Sequence, residues 1–159
     1  MLLKKDLENF TRIVKKIKHP ERGLEQGVFD ALCSLVTHTA CELVIVNNKN
    51  EILLTFRKDK FWEGWHFPGG LLRYKESFLA RLKLVVKLEL KVKLVSAKFL
   101  FPINYINSKR GHDVSLVFLC KLEKALKVGK WFKQMPKNII PEHKMLWKEV
   151  IRLLKSKIN

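Results

Sequence analysis

No stretch of these 159 residues stays apolar for long enough to cross a bilayer. The opening Met1-Leu2-Leu3-Lys4-Lys5-Asp6 lacks the continuous apolar core and small-residue cleavage site of a secretory leader. Together these absences make a cytoplasmic location the expectation. Cysteine is scarce: Cys33, Cys41 and Cys120 are odd in number, form no C-x-x-C pair and sit in apolar contexts such as Phe118-Leu119-Cys120. That pattern argues for reduced core thiols over a disulfide framework or a zinc site. Internal repeats and low-complexity linkers are missing as well. Acidic residues run short, with 15 Asp and Glu against 32 Lys and Arg and a net charge of +17. An excess of this size raises the encounter rate with any anion, whether a phosphate-rich small molecule, nucleic acid or an anionic membrane surface. The lysines are scattered through the chain, so a well-solvated surface accounts for them equally well.

What is present suits one packed domain. Hydrophobic residues make up 47% and charged residues 30%, enough apolar material for a single core in a chain of this length. Leu3, Leu7, Phe10, Val14 and Ile17 recur every three or four residues and predict an amphipathic helix over 3–18, which His19-Pro20 ends. A second helix is expected over 24–37, burying Val28, Leu32 and Leu35. Cys41–Asn47 reads as a strand, Asn47-Asn48-Lys49-Asn50 as a turn, and Ile52–Arg57 as the returning hairpin partner. A short strand at Gly64–Phe67 runs into a glycine turn. Residues 77–90 hold no Gly or Pro and predict a helix, apolar nearly all round and buried on several sides, one of them in a homodimer interface. Strands are expected over 92–101, 114–122 and near Trp131-Phe132, and a closing helix over 141–155, with Pro141 in its first turn. The order implies a mixed sheet with helices packed against it.

Chemistry concentrates at Pro68-Gly69-Gly70-Leu71-Leu72-Arg73-Tyr74-Lys75-Glu76 and at Glu89 in the helix that follows. A glycine pair lets the backbone approach a ligand closely. A loop folded back along the helix would bring the Gly69 carbonyl oxygen near the Glu89 carboxylate, and hard cations such as Mg²⁺ take oxygen ligands of this kind. Arg57, Lys58 and Arg73 flank the turn in sequence and suit a diphosphate. Trp62, Trp65 and Tyr74 suit stacking on a base or sugar, or alternatively core packing. His112 and His143 are candidate general bases at neutral pH; each is equally a candidate structural histidine. His66 reads as a strand residue.

This segment resembles the box of the Nudix hydrolases, G-x5-E-x7-R-E-U-x-E-E-x-G-U with U a bulky aliphatic. Gly70, Glu76 and Glu89 take its first glycine and its first and last glutamates. Leu84, Val85, Leu88 and Lys91 stand where the box has Arg, Glu, Glu and Gly, although Arg81 lies one turn before the missing arginine. The usual metal-binding face, positions 85, 88 and 89, therefore reads Val, Leu, Glu. The resemblance implies a Nudix-type α/β (α+β) fold, an α/β/α sandwich with a mixed sheet spanning 39–159, preceded by a helical extension over 1–38 packed on it.

One branch of that superfamily, the GDP-mannose mannosyl hydrolases, is similarly thinned, and its upstream hairpin is similar to residues 40–57. That likeness implies one Mg²⁺, or Mn²⁺ in its place, with Gly69 and Glu89 as metal ligands. It also implies Glu42 as a sugar contact and Arg57 as an aid to leaving-group departure, with Glu76 orienting the metal site. The Gln-His pair that this branch carries before a Trp-containing strand is absent from Lys124–Lys130. The expected function is Mg²⁺-assisted hydrolysis of a nucleotide sugar or related nucleoside diphosphate derivative. A catalytically impaired Nudix fold that binds nucleotide or sugar is the alternative, and a basic nucleic-acid-binding protein is a second.

Overall fold

The computed structural model describes residues 2–123 and 128–156. Two helices lead, α1 (Lys4–Val14) and α2 (Gln26–Cys33). Four strands follow, β1 (His38–Val44), β2 (Ile52–Lys58), β3 (Glu63–His66) and β4 (Gly69–Leu71). Then come α3 (Phe78–Val85), a π-helical turn over Val86–Leu90, and the strands β5 (Leu94–Ser108), β6 (Gly111–Leu122) and β7 (Lys130–Phe132). The helix α4 (His143–Ser156) closes the described chain.

The strands form two sheets. In the larger, ordered β4-β1-β6-β5, β1 runs parallel to β6 and antiparallel to β4; the smaller is antiparallel and ordered β3-β2-β7. The expected β1–β2 hairpin exists only at its tip, where Val46 bridges Ile52 and the Leu53 N–H donates to the Ile45 carbonyl at 3.0 Å. Beyond the tip the two strands part into different sheets, because each finds longer-range partners that local reading does not see. The expected glycine turn is in fact strand β4, held by Leu43 N–H to Pro68 carbonyl at 2.9 Å and by pairing of Gly69 with Glu42.

Side-chain alternation along β1 builds both cores. Cys41 and Leu43 face α3 with Leu53, Leu82, Val85, Val86 and Phe118, whereas Val44 faces α4 with Ile52, Phe67, Val117, Leu146 and Val150. Helices thus cover both sides of the strands, giving an α/β/α sandwich. Ser77 starts α3 by accepting the Ala80 N–H at 3.2 Å. Only one side of the helical segment is buried: Phe78, Leu79 and Leu88 are exposed, which corrects the expectation of burial on several sides. The α2 segment is also shorter than expected and leaves Leu35 exposed. It docks by its end, where Cys33 is buried and its carbonyl lies 2.2 Å from where a Cβ on Gly111 would stand. No residue of α1 is buried.

All three cysteines are free and buried, and burial raises the Cys41 thiol to a pKa of about 11 and Cys120 to about 12. Both thiols therefore favour the folded state below their ordinary ionisation range, and that contribution is lost as pH rises toward 11–12. Ellman's reagent at pH 8 is expected to label neither until the chain is unfolded; labelling of native protein at the unfolded rate would contradict this packing. Leu53→Ala, at a fully buried position, is expected to cost about 2–5 kcal/mol in denaturant unfolding. Leu88→Ala, at an exposed one, should change stability by about 0.5 kcal/mol or less.

Candidate functional site

The site sits where the two sheets diverge, around Gly69. Register pairs Gly69 with Glu42, and a Cβ on Gly69 would lie 2.2 Å from Glu42 Oε2, so only glycine fits beside that carboxylate. From the other direction Glu89 Oε1 accepts the Gly69 N–H at 3.4 Å. Two carboxylates thus converge on one backbone position.

The π turn explains how Glu89 arrives. Val85 is buried in the core, Leu88 faces solvent and Glu89 reaches Thr55 and Gly69, so positions 85, 88 and 89 do not form the single patch that α-helical spacing implies.

A polar relay fixes Glu89. Thr55 and His66 are cross-strand partners. The Thr55 hydroxyl donates to Glu89 Oε2 at 3.2 Å and accepts from His66 Nε2 at 3.0 Å. Burial is the main influence raising the Glu89 pKa, opposed by the Thr55 and Gly69 hydrogen bonds. Glu42 is raised well above the usual carboxylate range, first by burial and then by the charge of Glu89. Its Oε2 is buried with no hydrogen-bond partner among the described residues.

His143, in the first turn of α4, accepts the Phe67 N–H on Nδ1 at 2.9 Å. A backbone N–H can only donate, so the ring proton of the neutral imidazole lies on Nε2, which is 3.8 Å from Glu42 Oε1. Burial holds its pKa well below the usual value and suppresses the imidazolium. At that distance the Nε2–H faces Glu42 without a hydrogen bond, and the one acceptor nitrogen of His143 is already engaged.

The remaining sequence candidates divide. Arg57 lines the site, its guanidinium 5.0 Å from the Trp62 ring centroid and paired with Asp59; Lys58 and Trp65 line the same cavity. Glu76 lies apart from the cavity, accepting Arg81 Nε at 2.8 Å and the Arg73 N–H at 3.0 Å. Arg81, one turn before the position of the box arginine, is thus the partner of Glu76. The Arg73 side chain lies about 4.0 Å from the position of a Cβ on Gly23, and Tyr74 is exposed beneath the Lys75 ammonium. His112 is tied to Thr37 at 3.0 Å and Asn104 at 2.6 Å, outside the cavity. Residues 124–127, most of the stretch expected to lack a Gln-His pair, lie outside the described residues.

Several site residues escaped the sequence reading: Thr55, Tyr105, Arg110 and Asp113. Arg110 lies over Trp62 at 5.2 Å and donates to Asp113 at 3.1 Å. The available signal was alternation along β6, which puts Asp113 and Ser115 on the face of Val117. An open cavity of about 650 Å³ spans Thr55, Arg57, His66, Gly69 and Glu89. Behind it a polar recess of about 40 Å³ is lined by Glu42, Tyr105, Arg110, Asp113 and His143. Among the described residues no three His, Cys, Asp or Glu side chains are grouped to hold a metal, and no helix is long and apolar enough to cross a membrane.

This architecture is the Nudix hydrolase fold. A MutT Nudix hydrolase from Burkholderia pseudomallei superposes with a TM-score of 0.63 at 21% identity, over 71% of this chain and 97% of that one. The MutT protein of Methanosarcina mazei Go1 gives 0.59 at 17%, over 75% and 96%. NrtR of Shewanella oneidensis gives 0.56 at 18%, over 75% of this chain and 63% of its own. No family model and no curated protein matches the sequence. At these identities the likeness is one of fold.

The buried histidines give a direct check on the electrostatics. Burial lowers His66 to a pKa of about 4 and keeps His143 neutral, so each favours the folded state above the ordinary imidazole range and loses that contribution as pH falls. In ¹⁵N NMR at pH 5.5, both rings are expected as neutral Nε2–H tautomers. Imidazolium shifts there would disprove the arrangement.

Proposed function

We propose that the chain is a Mg²⁺-assisted hydrolase of a nucleoside diphosphate sugar or related nucleoside diphosphate derivative, with the diphosphate as leaving group. The observation that carries this reading is the convergence of Glu42 and Glu89 on Gly69 beside the Arg57 guanidinium. A buried carboxylate oxygen without a partner, next to a second carboxylate, is stabilised by a cation or a proton. Glu89 and the Gly69 backbone, with Glu42 close by, fit one divalent ion whose other ligands come from water and substrate oxygens. When bound, that ion would neutralise charge on the diphosphate.

The side chains supply the rest. Arg57 and Lys58 bind the diphosphate and stabilise the charge that develops as it leaves. Glu42, facing the neutral His143 ring and with raised proton affinity, accepts a proton from water. The oxygen of that water bonds to the sugar's anomeric carbon, and the carbon–oxygen bond to the diphosphate breaks with its electron pair leaving on oxygen. The recess behind Gly69 is large enough for a water molecule. The GDP-mannose-like assignment rests on the resemblance of residues 40–57; attack at phosphorus is the alternative outcome of the labelling experiment below. A homodimer is part of the same proposal, its interface drawn from the exposed apolar side chains of residues 77–90, Phe78, Leu79 and Leu88.

A Mg²⁺-dependent turnover screen across nucleotide sugars and dinucleotides tests the proposal. Activity is expected on at least one nucleotide sugar, with Glu89→Gln lowering turnover by about a hundredfold or more. Reaction in ¹⁸O-water should place label in the sugar. Val85 and Leu88, where the box has carboxylates, favour a second reading, a binding protein without turnover. Ligand binding unaffected by Glu89→Gln, with no hydrolysis of any compound, would establish that reading instead.

A further inference from the structure

The helix α1 contributes nothing to either core, yet it carries a continuous apolar stripe. Leu3, Leu7, Phe10 and Val14 fall on one face with Ile13 beside them, and these five side chains are 46–71% exposed. Hydrogen bonds from Lys16 N–H to the Ile13 carbonyl and from Ile17 N–H to the Val14 carbonyl carry the winding past Val14. Between residues 3 and 18 the flanks and back of this stripe bear six basic side chains, Lys4, Lys5, Arg12, Lys15, Lys16 and Lys18, against only Asp6 and Glu8. An apolar face of this extent left in water is unfavourable, and its charge pattern restricts what can cover it.

A second copy of the chain would set two basic helices together and join molecules that each carry +17. A nucleic acid would satisfy the lysines but offer nothing to Leu7 and Phe10. A surface of anionic phospholipid satisfies both: acyl chains and the glycerol region receive the apolar stripe while headgroups meet the lysines. We propose that α1 is an interfacial helix that docks this protein on anionic membranes, lying in the membrane plane with the catalytic-fold domain on the aqueous side. The contact is peripheral and reversible, since one helix of this length inserts only along its face.

Flotation of the full chain with phosphatidylcholine vesicles, with and without phosphatidylglycerol, tests this. Binding is expected to the anionic vesicles, much weaker to phosphatidylcholine alone, and lowered about a hundredfold by Leu7→Glu with Phe10→Glu. Because neither position is buried, the double variant should melt at the wild-type temperature and bind a generic oligonucleotide as the wild type does. Lys15→Glu with Lys16→Glu should weaken binding and reduce its salt dependence. Vesicle binding that survives the Leu7 and Phe10 substitutions would overturn the proposal, leaving diffuse charge as the cause. Absent vesicle binding, together with a dimer that this double variant dissociates, would overturn it in favour of self-association.

Discussion

A missing Cβ at Gly69 is the constraint on which the site depends. Glu42 Oε2 occupies the space that any side chain there would need, 2.2 Å from the ideal Cβ position. The substitution of even a methyl group would push out a buried carboxylate, and with it the wall of the polar recess. On its other side the same residue offers its N–H to Glu89. One glycine therefore allows two like charges to approach from a strand and from a helix, which neither element alone could bring about. Burial raises the proton affinity of both, and at Glu42 the charge of Glu89 adds to it. Such a pair is costly unless something positive joins it, and Arg57 and Arg110 are the nearby fixed cations.

The scaffold around this pair is ordinary packing put to use. Alternation along β1 sends Cys41 and Leu43 into the α3 core, which leaves Glu42 facing α4 and its His143. Parallel pairing with β6 then brings Ser115 and Asp113 to the same side. The divergence of β1 and β2 into separate sheets opens the cleft that Thr55, His66 and Glu89 line. Hydrophobic phase and polar site are thus set by one register, since a slip of one residue would exchange Glu42 with Cys41 or Leu43.

Charge is distributed unevenly with respect to burial. In the site, basic groups are partly matched: Arg57 meets Asp59 and Arg110 meets Asp113, while outside it Arg81 meets Glu76. Along α1 the lysines face solvent and surround exposed Leu and Phe. The same +17 therefore does different work in the two places. Around the cleft it pairs with carboxylates, while on α1 it accompanies an apolar surface that the domain leaves uncovered.

The sequence by itself determined the local elements whose signals are short-range. The 3.6-residue recurrence from Leu3 to Val14, the largely apolar stretch from Cys41 and the Gly- and Pro-free segment from Ser77 all act within a few residues, and a helix, a strand and a helix form there. It also singled out Gly69, Glu89 and Arg57 as candidates, and the resemblance added Glu42. Only the tertiary structure decided what they meet. The π turn turns Leu88 away and Glu89 inward, Arg81 takes Glu76 out of the cleft, and the Phe67 N–H occupies the acceptor nitrogen of His143. Each of these depends on groups brought together by sheet pairing or helix packing, some from far along the chain, and such contacts leave no periodicity in the sequence to read. Burial of the two carboxylates belongs with them: it is a property of the assembled cores, and no residue carries it alone.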